Sequence, residues 1–179
     1  KSKKLSPDQI KKYLTKYLKN KYDLQLINYL DRFFNECFIN KKFSNFYFFP
    51  TTTFYETGRT SLKNEINLYK DFLKKSKIQS CSHLIIKPHP ASCFEKNYLF
   101  FKKLENDDFF KSKNIINPFH GNDKLIFSNI SLELIITYLF INSVKINISR
   151  NIILACCSTA TISVKNLYPS LILDQAFGK

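Results

Sequence analysis

The feature that most narrows the fold is a change of hydrophobic period that repeats along the chain. Residues 43–50, "FSNFYFFP", form a short aromatic run closed by proline, which fits a strand buried on both faces. Residues 61–75 follow, with Leu62, Ile66, Leu68, Tyr69, Phe72 and Leu73 at helical spacing and Ser61 at the start as an N-cap. Residues 83–87, "HLIIK", are a second short apolar run. A strand, a helix and a strand joined over that length make a βαβ unit, and hence a parallel sheet. The alternation continues with a short helix over 98–104, a strand edge in "NIINPF" and an apolar helix beginning near Ser131. A strand in "NIILACCS", a helix in "TATISVKNLY" and a last strand in "PSLILD" complete it. The expectation over 43–179 is an α/β domain: a Rossmann-like parallel sheet flanked by helices.

Residues 1–42 have a different character. Ser6-Pro7-Asp8-Gln9 is a helix start with proline in the first turn, and Ile10, Tyr13, Leu14, Tyr17 and Leu18 carry the helical period. After Asp23 the period resumes through Leu24, Ile27, Leu30, Phe33, Phe34 and Phe38. These residues read as a basic helical segment, with packed helices and a solvated lysine face favoured over a membrane-surface helix. A chain of 179 residues is long enough to bury a core without disulfides or metal. Its net charge of +14 points to an anionic partner, although the abundance of Lys, Asn, Ile, Phe and Tyr has the stamp of an AT-rich genome and weakens that inference. Five cysteines without CxxC spacing indicate neither a zinc site nor a disulfide framework, and suggest reduced, cytoplasmic thiols. Neither a membrane-spanning run nor a secretory leader is read from the sequence. The chain contains no Met, and is expected to be a piece of a longer protein whose preceding domain lies beyond residue 1.

Two polar loops fall where an open parallel sheet binds ligands, at the carboxyl ends of its strands. The first is Lys87-Pro88-His89-Pro90. Pro88 fixes its own φ and Pro90 restricts His89, so the imidazole stands on a backbone with little freedom and suits donation to a phosphate oxygen. The second is Cys157-Ser158-Thr159-Ala160-Thr161, which sets small hydroxyls at a helix N-terminus, an anion site that needs no lysine. Taken singly, the histidine is also a turn residue and the hydroxyls are also helix caps. Their joint position on one sheet edge favours a shared ligand.

"LIIKPHP" followed about seventy residues on by "LACCSTATISVKNLYP" resembles the His-Pro and Ser-Ser/Thr motifs of bacterial sialyltransferases and capsule polysialyltransferases of the GT-B type. The resemblance spans about residues 43–179 and implies the donor-nucleotide-binding half of a GT-B fold. It implies that His89, with Pro90 and Lys87, meets the donor phosphate of CMP-sialic acid, and that Ser158 and Thr159 hold it from the other side. "ISLELI" is similar to the family's Pro-x-Glu-Leu segment, with serine in place of proline, and implies Glu133 as a ribose ligand. Glu56 in "FYETGRT" is the nearest match to the family's acidic-Gly motif, whose carboxylate acts as general base. It carries one carboxylate where the family has two, and the base is also expected on a missing N-terminal domain. No metal and no cofactor are implied. The implied partners are an anionic glycan or glycolipid acceptor of capsule or lipooligosaccharide and, peripherally, the inner membrane face, with no nucleic acid. Related loops occur in transferases that use CDP-glycerol and in nucleotide-sugar epimerases, so a CDP-glycerol or UDP-sugar enzyme is the first alternative. A basic nucleic-acid-binding α/β module is the second.

Of the remaining polar residues, His83 is expected to be a hydrogen-bonded structural histidine, and His120-Gly121-Asn122-Asp123 a turn. Cys156 and Cys157 are expected as small hydrophobes ending a strand, and Asn106-Asp107-Asp108 as an exposed acidic turn that binds no metal.

Overall fold

A computed structural model describes residues 5–20, 23–38, 45–76, 78, 82–116, 124–142, 152–155 and 158–174. In chain order the elements are α1 (Pro7–Lys19), α2 (Leu24–Phe38), β1 (Asn45–Pro50), α3 (Leu62–Lys75), β2 (Ser82–Lys87) and α4 (Phe94–Glu105). A 3-10 turn (Asp108–Phe110) leads to β3 (Asn114–Ile116), α5 (Lys124–Asn129), α6 (Leu132–Ile141), β4 (Ile152–Ala155), α7 (Thr159–Leu167) and β5 (Ile172–Asp174). Four of the helices begin at serine N-caps. Ser6, Ser61, Ser131 and Ser158 each accept a backbone N–H of the first turn, and at Ser6 the Gln9 side chain returns the bond to complete a capping box.

The described strands build a sheet in the order β3-β2-β1-β4-β5, with every pairing parallel. Strand alternation sends Phe46, Phe48, Ile85, Ile152 and Leu154 to one face, where α1, α2, α5, α6 and α7 cover them. Tyr47, Phe49, Leu84, Ile86, Ile153 and Ala155 face the other way, into α3 and α4. Both faces are therefore covered, which is why the strands read as continuous apolar runs and not as alternating ones. The chain leaves β1 toward β2 and β3 on one side and returns to β4 and β5 on the other. The order reverses between β1 and β4, and at such a switch point the loops diverge and leave a crevice at the strands' carboxyl ends.

The α/β class, the all-parallel sheet and its flanking helices agree with the sequence reading. The N-terminal helices pack onto the sheet. Leu18 of α1 and Tyr29, Leu30 and Phe34 of α2 are buried in the same core cluster as Phe46 and Phe48. Phe33 stacks on Phe127 of α5 at 4.6 Å, and Phe34 on Tyr138 of α6 at 5.7 Å. The predicted boundary at residue 42 lies outside the described residues, and α1 and α2 share one core with the sheet. α4 starts at Phe94, a full turn before the predicted residue 98. The reason is visible at its N-terminus: the Cys93 side chain makes no cap, and the Cys93 N–H is taken instead by the carboxylate of Glu56 at 2.7 Å. A cap supplied from another loop leaves no local signature.

Candidate functional site

β2 ends at Lys87, opposite Pro50 at the end of β1. The next residue after β1, Thr51, is buried and stitches the two strand ends together. Its N–H donates to the Lys87 carbonyl at 2.9 Å, and its Oγ1 accepts the His89 N–H at 3.0 Å. His89 itself is exposed, and its carbonyl accepts the Ser92 N–H at 2.9 Å, closing a tight turn. Its ring is oriented from within that turn, because the Ala91 N–H donates to Nδ1 at 3.1 Å. A backbone N–H can only donate, so Nδ1 of the neutral ring is the acceptor and the ring proton sits on Nε2. The two prolines and these bonds leave His89 with one outward donor, Nε2–H.

Lys87 occupies the same loop without reaching outward. It is 4 % exposed, and its ammonium donates to the carbonyls of Pro88 and of Ser128 in α5, each at 2.8 Å. Burial pulls it down from the ordinary 10.5 to about 8, against the opposing effect of the Glu133 carboxylate. Glu133 lies in the first turn of α6.

Across β1, Ser158 and Thr159 follow β4. Ser158 is the N-cap of α7, its Oγ accepting the Ala160 N–H at 3.2 Å, and Thr159 is exposed at the first helical position. β2 and β4 both flank β1 in parallel, so the His89 loop and the α7 N-terminus emerge at one edge. Their strands are two spacings apart, about 10 Å. The parallel topology thus puts His89, Ser158 and Thr159 at the same edge of the sheet, on strands that flank β1.

Glu56 has a distinct role in the geometry. Its carboxylate accepts Ser92 Oγ at 3.1 Å, the Cys93 N–H at 2.7 Å and Lys96 Nζ at 2.7 Å. Burial works against its ionisation, yet Lys96 and the Cys93 N–H outweigh that and bring its pKa from 4.5 to about 2. A carboxylate held this way is a weak base and a strong anchor. It joins the loop after β1 to the loop after β2.

Behind it lies a charged cluster that the sequence reading did not single out. Lys96 and Glu65 are both 0 % exposed, and Lys96 Nζ reaches Glu65 Oε1 at 3.1 Å and the Thr52 carbonyl at 2.6 Å. Glu65 also accepts the Tyr55 N–H at 2.6 Å, the Thr52 hydroxyl at 2.8 Å and the Tyr69 hydroxyl. Burial again opposes the charge, and these donors together hold the carboxyl below its ordinary value. Burial and the bond to Glu65 push the Tyr69 phenol well above its own. Asn97, also buried, donates to Ser92 Oγ at 3.0 Å and to the Cys93 carbonyl at 2.9 Å. A signal for the charged pair exists in the sequence. Lys96 lies in line with Phe100 and Leu104, and Glu65 with Tyr69 and Phe72, so each is a charge on the apolar stripe of its helix.

His83 is a core residue, stacked on Phe46 at 5.0 Å, with Nδ1 2.9 Å from the Asn114 side-chain amide. In the predicted acidic turn, Asp107 is ion-paired with Lys70 at 2.6 Å and Lys74 at 2.8 Å, and these two cations hold its carboxyl far below the usual range. Among the described residues there is no cluster of three or more metal-ligating side chains, and no helix is long and apolar enough to cross a membrane. His120 with its turn, Cys156 and Cys157 lie outside the described residues. No protein-family model matches the chain, and no curated protein or solved structure matches it.

Proposed function

We propose that this chain supplies the donor-nucleotide site of a sialyltransferase-like GT-B glycosyltransferase, which transfers sialic acid from CMP-sialic acid to a glycan hydroxyl in capsule or lipooligosaccharide synthesis. The observation that carries the reading is the placement of a rigidly held Nε2–H donor, His89, two strands from the N-terminus of α7, on either side of β1 at the sheet's switch point. In the reaction the acceptor hydroxyl oxygen bonds to the anomeric carbon. The bond from that carbon to the phosphate oxygen breaks, and its electron pair leaves with CMP. His89 Nε2–H, the Ser158 and Thr159 hydroxyls and the α7 N-terminus meet the growing negative charge on the leaving phosphate. Glu133 is assigned to the ribose hydroxyls. With its carboxyl at about 2, Glu56 is assigned to holding the two loops together. The proton of the acceptor hydroxyl passes to a group outside these loops. The exposed lysines of α1, Lys11, Lys12, Lys16 and Lys19, suit an anionic acceptor or the anionic inner membrane face.

Calorimetric titration of the chain with CMP, CDP and UDP tests the reading. CMP is expected to bind tightest, and His89→Ala to weaken it at least tenfold. Tighter binding of UDP than CMP removes the sialyl donor in favour of a UDP-sugar enzyme. Preference for CDP points to a CDP-glycerol enzyme. Affinity for oligonucleotides that falls steeply with salt and ignores His89→Ala points to a nucleic-acid-binding module.

A further inference from the structure

One peptide unit in the site is held at both of its polar atoms by side chains. The carbonyl of Pro88 and the N–H of His89 belong to the same planar group, with little freedom to twist. Lys87 Nζ donates to that carbonyl at 2.8 Å, and Thr51 Oγ1 accepts that N–H at 3.0 Å. Each partner is itself buried and tied down on the far side. Lys87 is fixed to the Ser128 carbonyl at 2.8 Å, at the end of α5. Thr51 is fixed through its own N–H to the Lys87 carbonyl at 2.9 Å, and its hydroxyl lies 3.5 Å from Asn97 Oδ1. The amide of Asn97 passes the network on to Ser92 Oγ, which donates to Glu56. The plane that sets the direction of the His89 Cα–Cβ bond is thus determined by residues on three other elements. The remaining freedom of the ring is restricted by the Ala91 N–H on Nδ1.

We infer that Thr51 and Lys87 are positioning residues that clamp the Pro88–His89 peptide, so that His89 is presented as a single tautomer with its Nε2–H turned to an incoming oxyanion. The inference rests on the reading of His89 as the phosphate-facing group, and it changes the part assigned to Lys87. Its ammonium acts through the backbone under the histidine and touches no ligand. The head group is engaged by two backbone carbonyls, and the residue is 4 % exposed. The clamp favours a preorganised donor whose geometry exists before the ligand arrives.

The test uses the full chain with 15N-labelled histidine and two-bond proton–nitrogen correlation of the three imidazoles, with His89→Ala to assign the signal. Wild type is expected to show the His89 ring in the Nε2–H pattern, with Nδ1 unprotonated. Thr51→Val and Lys87→Met are each expected to replace it with an averaged pattern of both tautomers and to weaken CMP about tenfold, the loss of one well-placed hydrogen bond. Thr51→Ser, which keeps the hydroxyl, is expected to restore both readouts. The clamp is overturned if Thr51→Val and Lys87→Met lower the unfolding temperature yet leave the tautomer pattern unchanged, since that describes a purely structural role. If CMP fails to bind even wild type while the tautomer pattern still responds to Thr51→Val and recovers with Thr51→Ser, the donor reading falls and the clamp stands.

Discussion

The loops that follow β2 and β4 are built in opposite ways. The loop after β2 is held from a distance: Thr51 sits 38 residues before His89, Glu56 37 before Cys93, and Ser128 41 after Lys87. The described part of the loop after β4 is held locally. Ser158 Oγ takes the Ala160 N–H at 3.2 Å, its carbonyl takes the Thr161 N–H at 3.1 Å and the Thr161 hydroxyl at 2.5 Å, and all these partners lie within three residues. The first geometry exists only in the folded protein. The second forms wherever α7 forms, because it is the ordinary capping of a helix start. The loop after β2 is therefore preorganised by tertiary structure, and the described part of the loop after β4 by secondary structure.

The sharpest way to break that contrast is Lys96→Met. Removing the cation leaves Glu56 and the fully buried Glu65 without their shared partner, and loss of one member of a buried ion pair costs about 3–5 kcal/mol. Urea unfolding is expected to show a loss of that size. A loss below about 1 kcal/mol would mean that the charged cluster is not what holds the β2 side. Ser158→Ala comes next, at about 1 kcal/mol, the ordinary worth of an N-cap. Chemical denaturation of the two variants side by side measures the asymmetry, and equal losses would abolish it.

A third, pH-dependent effect concerns acid stability. The folded-state pKa of Glu56, about 2, lies below its ordinary 4.5. Its contribution is complete above about 4.5, and is lost as pH falls from there through about 2, when the folded carboxylate takes up its proton. Glu56→Gln is expected to destabilise at neutral pH, and the gap from wild type to narrow through that acid window. Thermal unfolding at stepped pH checks it, and a gap independent of pH would show that the carboxylate's charge contributes nothing.

The difference in construction explains what was legible beforehand. Capping serines, helical periods and buried strand runs are short-range patterns, and Ser61, Ser131, the α3 stripe and β1 were all readable from neighbouring residues. His89 stood out because two flanking prolines are themselves a local signal. Thr51 and Asn97 were not legible as partners of that loop, since nothing near them names His89 or Ser92. The first turn of α4 was missed for the same reason, its cap being Glu56.

From its residues alone, then, the chain determines a parallel α/β sheet, the places where its helices begin, and a histidine with little backbone freedom at a strand end. These follow from sterics and hydrogen bonding within a few residues. Only the tertiary structure decided that β1 lies between β2 and β4, that Glu56, Glu65 and Lys96 share one buried cluster, and that Thr51 and Lys87 grip one peptide plane. Such contacts join residues tens of positions apart, and their closure entropy is offset only when the whole core packs at once.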